Sequence, residues 1–206
     1  MVLELKDISK KIERNQVLEN FSYTFNPGEI YMIGGNNGAG KTTLLRCMSS
    51  LELPDTGNII YNTILIHDKK NILEYRKHVS LLLETSKSLI SNLTILQNVK
   101  FFLGINNIVF KEVEEELFKM LFEFELVPYA DKTINRLSKG MKQKVALIIA
   151  LLKKRDIVLM DEPYDGLDMK AIGYLQELLE EISKEKIVVI ASPNEMWINK
   201  AKKVVL

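Results

Sequence analysis

The stretch Gly35-Asn36-Asn37-Gly38-Ala39-Gly40-Lys41-Thr42 constrains this chain more than any other. It fits G-x-x-x-x-G-K-[ST] at every defined position, and its setting is the one the pattern needs. The apolar run Ile30–Ile33 reads as a short strand before it, and a helix is expected from about Lys41. Glycines let the backbone curl so that successive N–H groups point at phosphate oxygens, and a helix N-terminus adds positive dipole. Lys41 has the reach for β- and γ-phosphates, and the Thr42 hydroxyl is suited to ligate Mg²⁺. The plain alternative is a glycine-rich turn; the strand–loop–helix setting argues against it.

The rest of the chain reads as an α/β protein. Phe21, Tyr23 and Phe25 alternate with polar residues, which suits a half-buried strand, and Asn26-Pro27-Gly28 reads as a turn. Strand character returns from Ile59 to Ile66. The middle reads as helical: Thr94 and Gln97 have capping-box spacing ahead of Ile95, Val99, Phe102 and Leu103. Val113, Leu117, Met120, Leu121 and Phe124 form a second apolar stripe that Pro128 ends. Both stripes read as core. The last third alternates helix from near Ser138 to about Leu152, strand Ile157–Met160, a helix carrying Ile172, Leu175, Leu179 and Ile182 on one face, and strand Ile187–Ala191. A short helix from Asn194 and a closing strand at Val204–Leu206 complete the reading. Such alternation predicts a parallel sheet covered on both sides.

Two further segments carry chemistry. Ile157-Val158-Leu159-Met160-Asp161-Glu162 is a buried strand ending in two carboxylates. Ligands of doubly wound sheets sit at the carboxyl ends of the strands, where the phosphate loop also lies. Asp161 is placed to hold Mg²⁺ and Glu162 to polarise an attacking water; an acidic turn is the alternative. Leu137-Ser138-Lys139-Gly140-Met141 precedes a helix. Ser138 is a good N-cap, which would explain it structurally, and a second anion-binding helix start is the functional reading.

The segments GGNNGAGKTT, LSKGMKQK and IVLMDEPYDGLD, in this order, resemble those of an ATP-binding-cassette (ABC) transporter ATPase, with the signature segment most specific. The resemblance runs from about Leu3 to Leu206, and LSKGMKQK, with Lys139 at the third position, is similar to many single-domain exporter ATPases. It implies a P-loop NTPase core with a parallel sheet, an N-terminal antiparallel β subdomain and an inserted α-helical subdomain. Residues 1–206 would form one domain, with approximately 1–88 and 131–206 as core and β subdomain and 89–130 as helical subdomain. It implies ATP and Mg²⁺ as ligands, held by Gly35 to Thr43. It also implies a head-to-tail dimer in which Ser138 and Gly140 of a second copy face that loop. Glu162 would be the general base, Gly166-Leu167-Asp168 would cross the dimer interface, and the helical subdomain would meet a membrane-spanning permease.

Three positions depart from the family pattern. Ile12 stands where an aromatic ring usually stacks on adenine, with Val17 as further apolar contact and Tyr31 as the alternative ring. Glu84 stands where a glutamine often senses Mg²⁺ and water; a carboxylate also ligates Mg²⁺, and a solvated surface glutamate is the other reading. Pro193 stands where a histidine usually contacts the γ-phosphate, and proline has no side-chain donor. Ser192 or Asn194 is left for that contact. The histidines His67 and His78 lie outside the motifs and read as surface or packing residues. Slow hydrolysis in a homodimer, or use in an asymmetric heterodimer as a nucleotide-gated switch, follows.

Composition narrows the partners. A net charge of +1 argues weakly against nucleic acid or anionic membrane as the main partner, and against a soluble cassette ATPase acting on nucleic acid. The lone Cys47 forms no internal disulfide and reads as a buried, reduced thiol. The charges at Glu4, Lys6 and Asp7 leave no apolar core of a secretory signal after Met1, and the run Val145–Leu152 is too short to span a bilayer. The expected location is cytoplasmic, peripheral on the inner face of the membrane, with a partner chain supplying the spanning part.

Overall fold

The computed structural model describes residues 1–83, 88–193 and 201–206. They fall into two compact units. The first comprises Met1–Leu81, Arg155–Glu162 and Leu179–Leu206; the second comprises Leu82–Lys154 and Pro163–Leu178. Glu84 and the helix expected from Asn194 lie outside the described residues.

The first unit is built on two sheets. Strands β1 (Leu3–Ile12), β2 (Asn15–Phe25), β4 (Thr56–Tyr61) and β5 (Ile64–Leu65) form an antiparallel sheet in the order β2-β1-β4-β5. Strands β6 (Val79–Leu82), β7 (Ile157–Asp161), β8 (Ile187–Ala191), β3 (Ile30–Gly34) and β9 (Lys202–Val205) form the second sheet, in the order β6-β7-β8-β3-β9. The pairings of β7 with β8, β8 with β3 and β3 with β9 are all parallel. Every residue of β3 and β8 is buried, which is why these strands read as unbroken apolar runs rather than alternating ones. Helix α1 (Lys41–Met48) follows the phosphate loop directly, and α2 (Lys69–Arg76) precedes β6.

Alternation in β2 holds: Phe21, Tyr23 and Phe25 pack inward, and the Tyr23 and Phe25 rings meet Tyr31 edge-on. The single strand expected over Ile59–Ile66 is instead a hairpin. Asn62 adopts φ 55°, a left-handed conformation that asparagine tolerates better than most residues, and the chain reverses between Tyr61 and Ile64. Gly57 adopts φ 91°, and a Cβ there would run into the carbonyl oxygens of Lys6 and Asp7, so β4 approaches β1 where only glycine fits. The closing strand starts two residues earlier than expected, at Lys202.

Cys47 is fully buried on α1, and burial pushes its thiol up to about 11. Only the thiolate reacts. Alkylation of the folded protein at pH 8 is therefore expected to be at least about 10²-fold slower than in denaturant, read by mass spectrometry of the modified peptide.

The second unit is helical: α3 (Ile95–Ile105), α4 (Phe110–Glu123), α5 (Lys139–Leu152) and the first part of α6 (Met169–Ser183). The capping box at the start of α3 forms as expected. Thr94 Oγ1 accepts from the Gln97 N–H at 3.2 Å, and the Gln97 side chain accepts from the Thr94 N–H at 2.9 Å. All five residues of the second stripe, Val113 to Phe124, are buried. That helix ends at Glu123 rather than near Pro128. Glu125 takes φ 58° and Pro128 sits in a separate 3-10 turn, so the left-handed residue, not the proline, stops it. Asn98 is fully buried on α3, and its amide accepts from the Ile90 N–H and donates to the carbonyls of Ile90, Leu93 and Thr94. It satisfies the backbone of the loop that enters α3. Among the described residues no helix is long and apolar enough to cross a membrane.

Candidate nucleotide site

The phosphate loop joins β3 to α1 within the first unit. Gly35, Gly38 and Gly40 take φ of 132°, 85° and 95°, conformations that side chains resist. Gly40 has a second reason to be glycine: a Cβ there would stand 2.7 Å from the Val17 carbonyl oxygen. Gly40 is also the N-cap of α1 and offers no side chain, so the first helical N–H groups have no side-chain cap. Asn36 O accepts from the Ala39 N–H at 3.1 Å and closes the loop. Lys41 is buried, and its Nζ donates to the carbonyls of Gly35 at 2.7 Å and Asn36 at 2.9 Å. The loop and its cation thus form one preorganised cradle of donors.

Thr42 and Asp161 come together although 119 positions separate them. Thr42 Oγ1 donates to Asp161 Oδ2 at 2.6 Å. Two hard oxygen donors at one point suit Mg²⁺, which takes few protein ligands and keeps waters and phosphate oxygens for the rest. Among the described residues no group of three His, Cys, Asp or Glu side chains is placed to hold a metal. Glu162 follows Asp161 at the end of β7. It takes φ 48°, and its N–H donates to Ala191 O at 2.8 Å. The left-handed turn is a sparsely populated conformation for a non-glycine residue.

A cavity of about 480 Å³ opens between the phosphate loop, Glu162 and the β1–β2 turn. Gly38, Gly40, Lys41, Thr42 and Thr43 form one end of it, and Glu162 lines it. Ile12, 44% exposed, and Val17 supply an apolar wall. Glu13 and Asn15 line the same wall, which sequence reasoning missed; the signal was their place in the turn beside Ile12. Tyr31 is not the missing aromatic ring. It is 1% exposed, packs on Phe25, and its hydroxyl accepts from the Asn26 N–H at 2.9 Å. Gly35, Asn36 and Ala39 shape the loop without lining that cavity, whereas Asn37 does line it.

Ser138 and Gly140 belong to the second unit. Ser138 Oγ accepts from the Met141 N–H at 3.2 Å, capping α5. Gly140 approaches the Gly166 backbone so closely that a Cβ would collide with its carbonyl oxygen. Asp168 caps α6 by accepting from the Ala171 N–H at 2.9 Å. Ser192 is buried, with its N–H on Ile33 O at 3.3 Å, and Pro193 is exposed. His78 has a structural partner, its Nδ1 lying 2.6 Å from Asp156 Oδ2.

Comparison with known proteins adds to this geometry. A family model described as "ABC transporter" matches residues 18–165. The uncharacterized ABC transporter ATP-binding protein YybJ of Bacillus subtilis (strain 168) is 32% identical over 197 residues, which cover 93% of this chain and 85% of YybJ. The spermidine/putrescine import ATP-binding protein PotA of Clostridium acetobutylicum is 33% identical over 185 residues, covering 90% of this chain but 51% of PotA. The chain therefore spans about half the length of PotA. Among solved structures, an ATP binding subunit of an ABC transporter superposes with TM-score 0.86 at 28% identity, covering 100% of this chain and 86% of that one. The dimeric bacterial ABC transporter cassette MJ0796 superposes with TM-score 0.84 at 26% identity, covering 99% of this chain and 94% of that one.

Proposed function

The chain belongs to the ABC transporter family of ATP-binding proteins, and on that premise we propose that it hydrolyses ATP to drive transport, in the export direction, through a separate membrane permease. Residues 1–206 act as one cassette in this reading, and the helical segment 89–130 meets the permease on the inner face of the membrane. The observation that carries the reading is the 2.6 Å contact that joins Thr42 of the phosphate loop to Asp161, whose neighbour Glu162 lines the same cavity as Thr42. A fold relative alone would not require those side chains to converge.

The roles follow from chemistry. The loop amides from Gly35 to Thr43 and the Lys41 ammonium take the triphosphate, Lys41 exchanging its carbonyl partners for phosphate oxygens. Thr42 and Asp161 would hold Mg²⁺, joined by Glu84. When bound, the ion neutralises charge between the β- and γ-phosphates. Ile12 and Val17 give the base an apolar wall without π-stacking, so phosphate contacts dominate affinity. Glu162 orients the water and accepts its proton. Ser138 and Gly140 of a second copy complete the site from the other side. The export assignment rests on the segment LSKGMKQK; PotA is named for import, and the cassette chemistry serves either direction.

Pro193 favours slow turnover, because it removes one hydrogen-bond donor from the γ-phosphate. Loss of a single transition-state donor lowers rates by about 10²–10³-fold in a comparable case. The purified chain is expected to release phosphate from ATP at well below ten turnovers per second, a rate on the order of the enzyme median, and to accelerate with its permease. Turnover of tens per second from the isolated chain would remove the role given to Pro193. Absence of hydrolysis with and without the permease would favour the nucleotide-gated switch.

A further inference from the structure

The loop that follows the carboxylate pair is held to one face of α5 at four points. Lys139 Nζ lies 2.6 Å from Asp165 Oδ2. Gly140 touches the Gly166 backbone. Gln143 Nε2 donates to Pro163 O at 3.0 Å, and Lys144 Nζ donates to Asp168 Oδ2 at 2.6 Å. Positions 139, 140, 143 and 144 share one helical face, so a single side of α5 grips the loop from Pro163 to Asp168.

The four contacts differ in kind. The Lys139 side chain is 77% exposed, and its pair is a solvated surface bridge of small consequence. Gln143 and Lys144 are buried, with only 9% of the Lys144 side chain exposed. Burying an ammonium is unfavourable unless it is paired, so Lys144 is committed to Asp168. The Lys144 hydrogen bond holds the Asp168 carboxyl below the usual carboxylate range, as such a commitment requires. The other Asp168 oxygen caps α6. Gln143 thus fixes the first residue of the loop and Lys144 fixes the last.

We propose that Gln143 and Lys144 are positioning residues for hydrolysis: by clamping both ends of the Pro163–Asp168 loop they fix the backbone from which the Glu162 carboxylate emerges. Pro163 is bonded directly to Glu162, and the Pro163 carbonyl is the atom Gln143 holds. Glu162 itself sits in a left-handed turn whose N–H is anchored on Ala191 O, so the clamp acts on the other side of the residue, on the peptide that leaves it. Neither residue lines the cavity beside Glu162, so the role assigned to them is positioning. The inference rests on Glu162 acting on the attacking water.

The test is a kinetic split on the full chain. In Lys144→Ala, kcat is expected to fall by on the order of 10- to 100-fold, the range a displacement near 1 Å produces, while the Kd for MgATP stays within about twofold. Lys144→Arg, which keeps the charge and donor, is expected to recover most of kcat; a merely structural role would show no such selective loss and rescue. Gln143→Leu keeps the volume and is expected to repeat the kcat loss, and it serves as the test if Lys144→Ala does not fold. An unchanged kcat, a parallel loss of ATP affinity, or an arginine variant no better than alanine would overturn the proposal. Wild type and Glu162→Gln are measured alongside. Equal rates in those two would show that the role of Glu162 has failed, and this proposal falls with it; a normal gap between them with no effect at Lys144 isolates the failure here.

Discussion

Replacing Lys41 with alanine is expected to weaken MgATP binding by at least about 10²-fold, as read by isothermal titration. The reason is both electrostatic and geometric. Lys41 is a buried ammonium held against the carbonyls of Gly35 and Asn36, so it is already aligned with the loop proposed to take the phosphates. A hydrogen bond to a charged group contributes about 1.5–3 kcal/mol, and Lys41 has donors for more than one phosphate oxygen. Two such bonds correspond to about 3–6 kcal/mol, or more than 10²-fold in Kd. The fold is expected to tolerate the change, since the two carbonyls released lie at the surface of a loop. Thermal unfolding therefore separates the two effects: a small shift in Tm together with the loss of binding. Retained ATP affinity in a folded Lys41→Ala protein would remove the phosphate loop from nucleotide binding.

Glu162→Gln has the opposite signature. Glutamine keeps the shape of glutamate, and the anchoring hydrogen bond to Ala191 O comes from the main chain, so the turn at the end of β7 is preserved. What is lost is the carboxylate proposed to take the proton from water. General-base contributions run to about 10²–10⁴-fold, and hydrolysis is expected to fall by that factor while ATP affinity holds. Phosphate release under single-turnover conditions measures it. An unchanged rate would exclude Glu162 as the base. The contrast matters: one variant loses binding and the other loses only the chemical step.

Much of this is legible in the sequence, for identifiable reasons. The segment from Ile30 to Met48 combines a buried strand, φ-positive glycines and a helix start, and local chemistry specifies each. The stripe from Val113 to Phe124 is long enough for its period to be unambiguous. The hairpin at Asn62 was hidden because Ile59 and Ile60 lie on one side of the turn and Ile64 to Ile66 on the other, which reads as one apolar run. Helix α2 buries only Tyr75 and so carries almost no apolar period. Strand β6 has four residues, too few to show a pattern. The site divides the same way. Thr42 and Asp161 were each identifiable from a motif, but their contact spans 119 positions and follows only from the order of strands β7, β8 and β3. The clamp of Gln143 and Lys144 on the Pro163–Asp168 loop was invisible, because lysine and glutamine on a helix ordinarily read as a solvated face.

The resemblance to cassette ATPases also predicts a site that one copy does not complete, since Ser138 and Gly140 are assigned to the triphosphate of a second chain. Sedimentation velocity of Glu162→Gln with and without MgATP tests this most directly, because slowed hydrolysis preserves the ATP-bound state. The expected result is a monomer without nucleotide and a dimer with MgATP, reverting to monomer when Ser138 is replaced by phenylalanine. A monomer that binds MgATP at saturation and never dimerises would contradict the account.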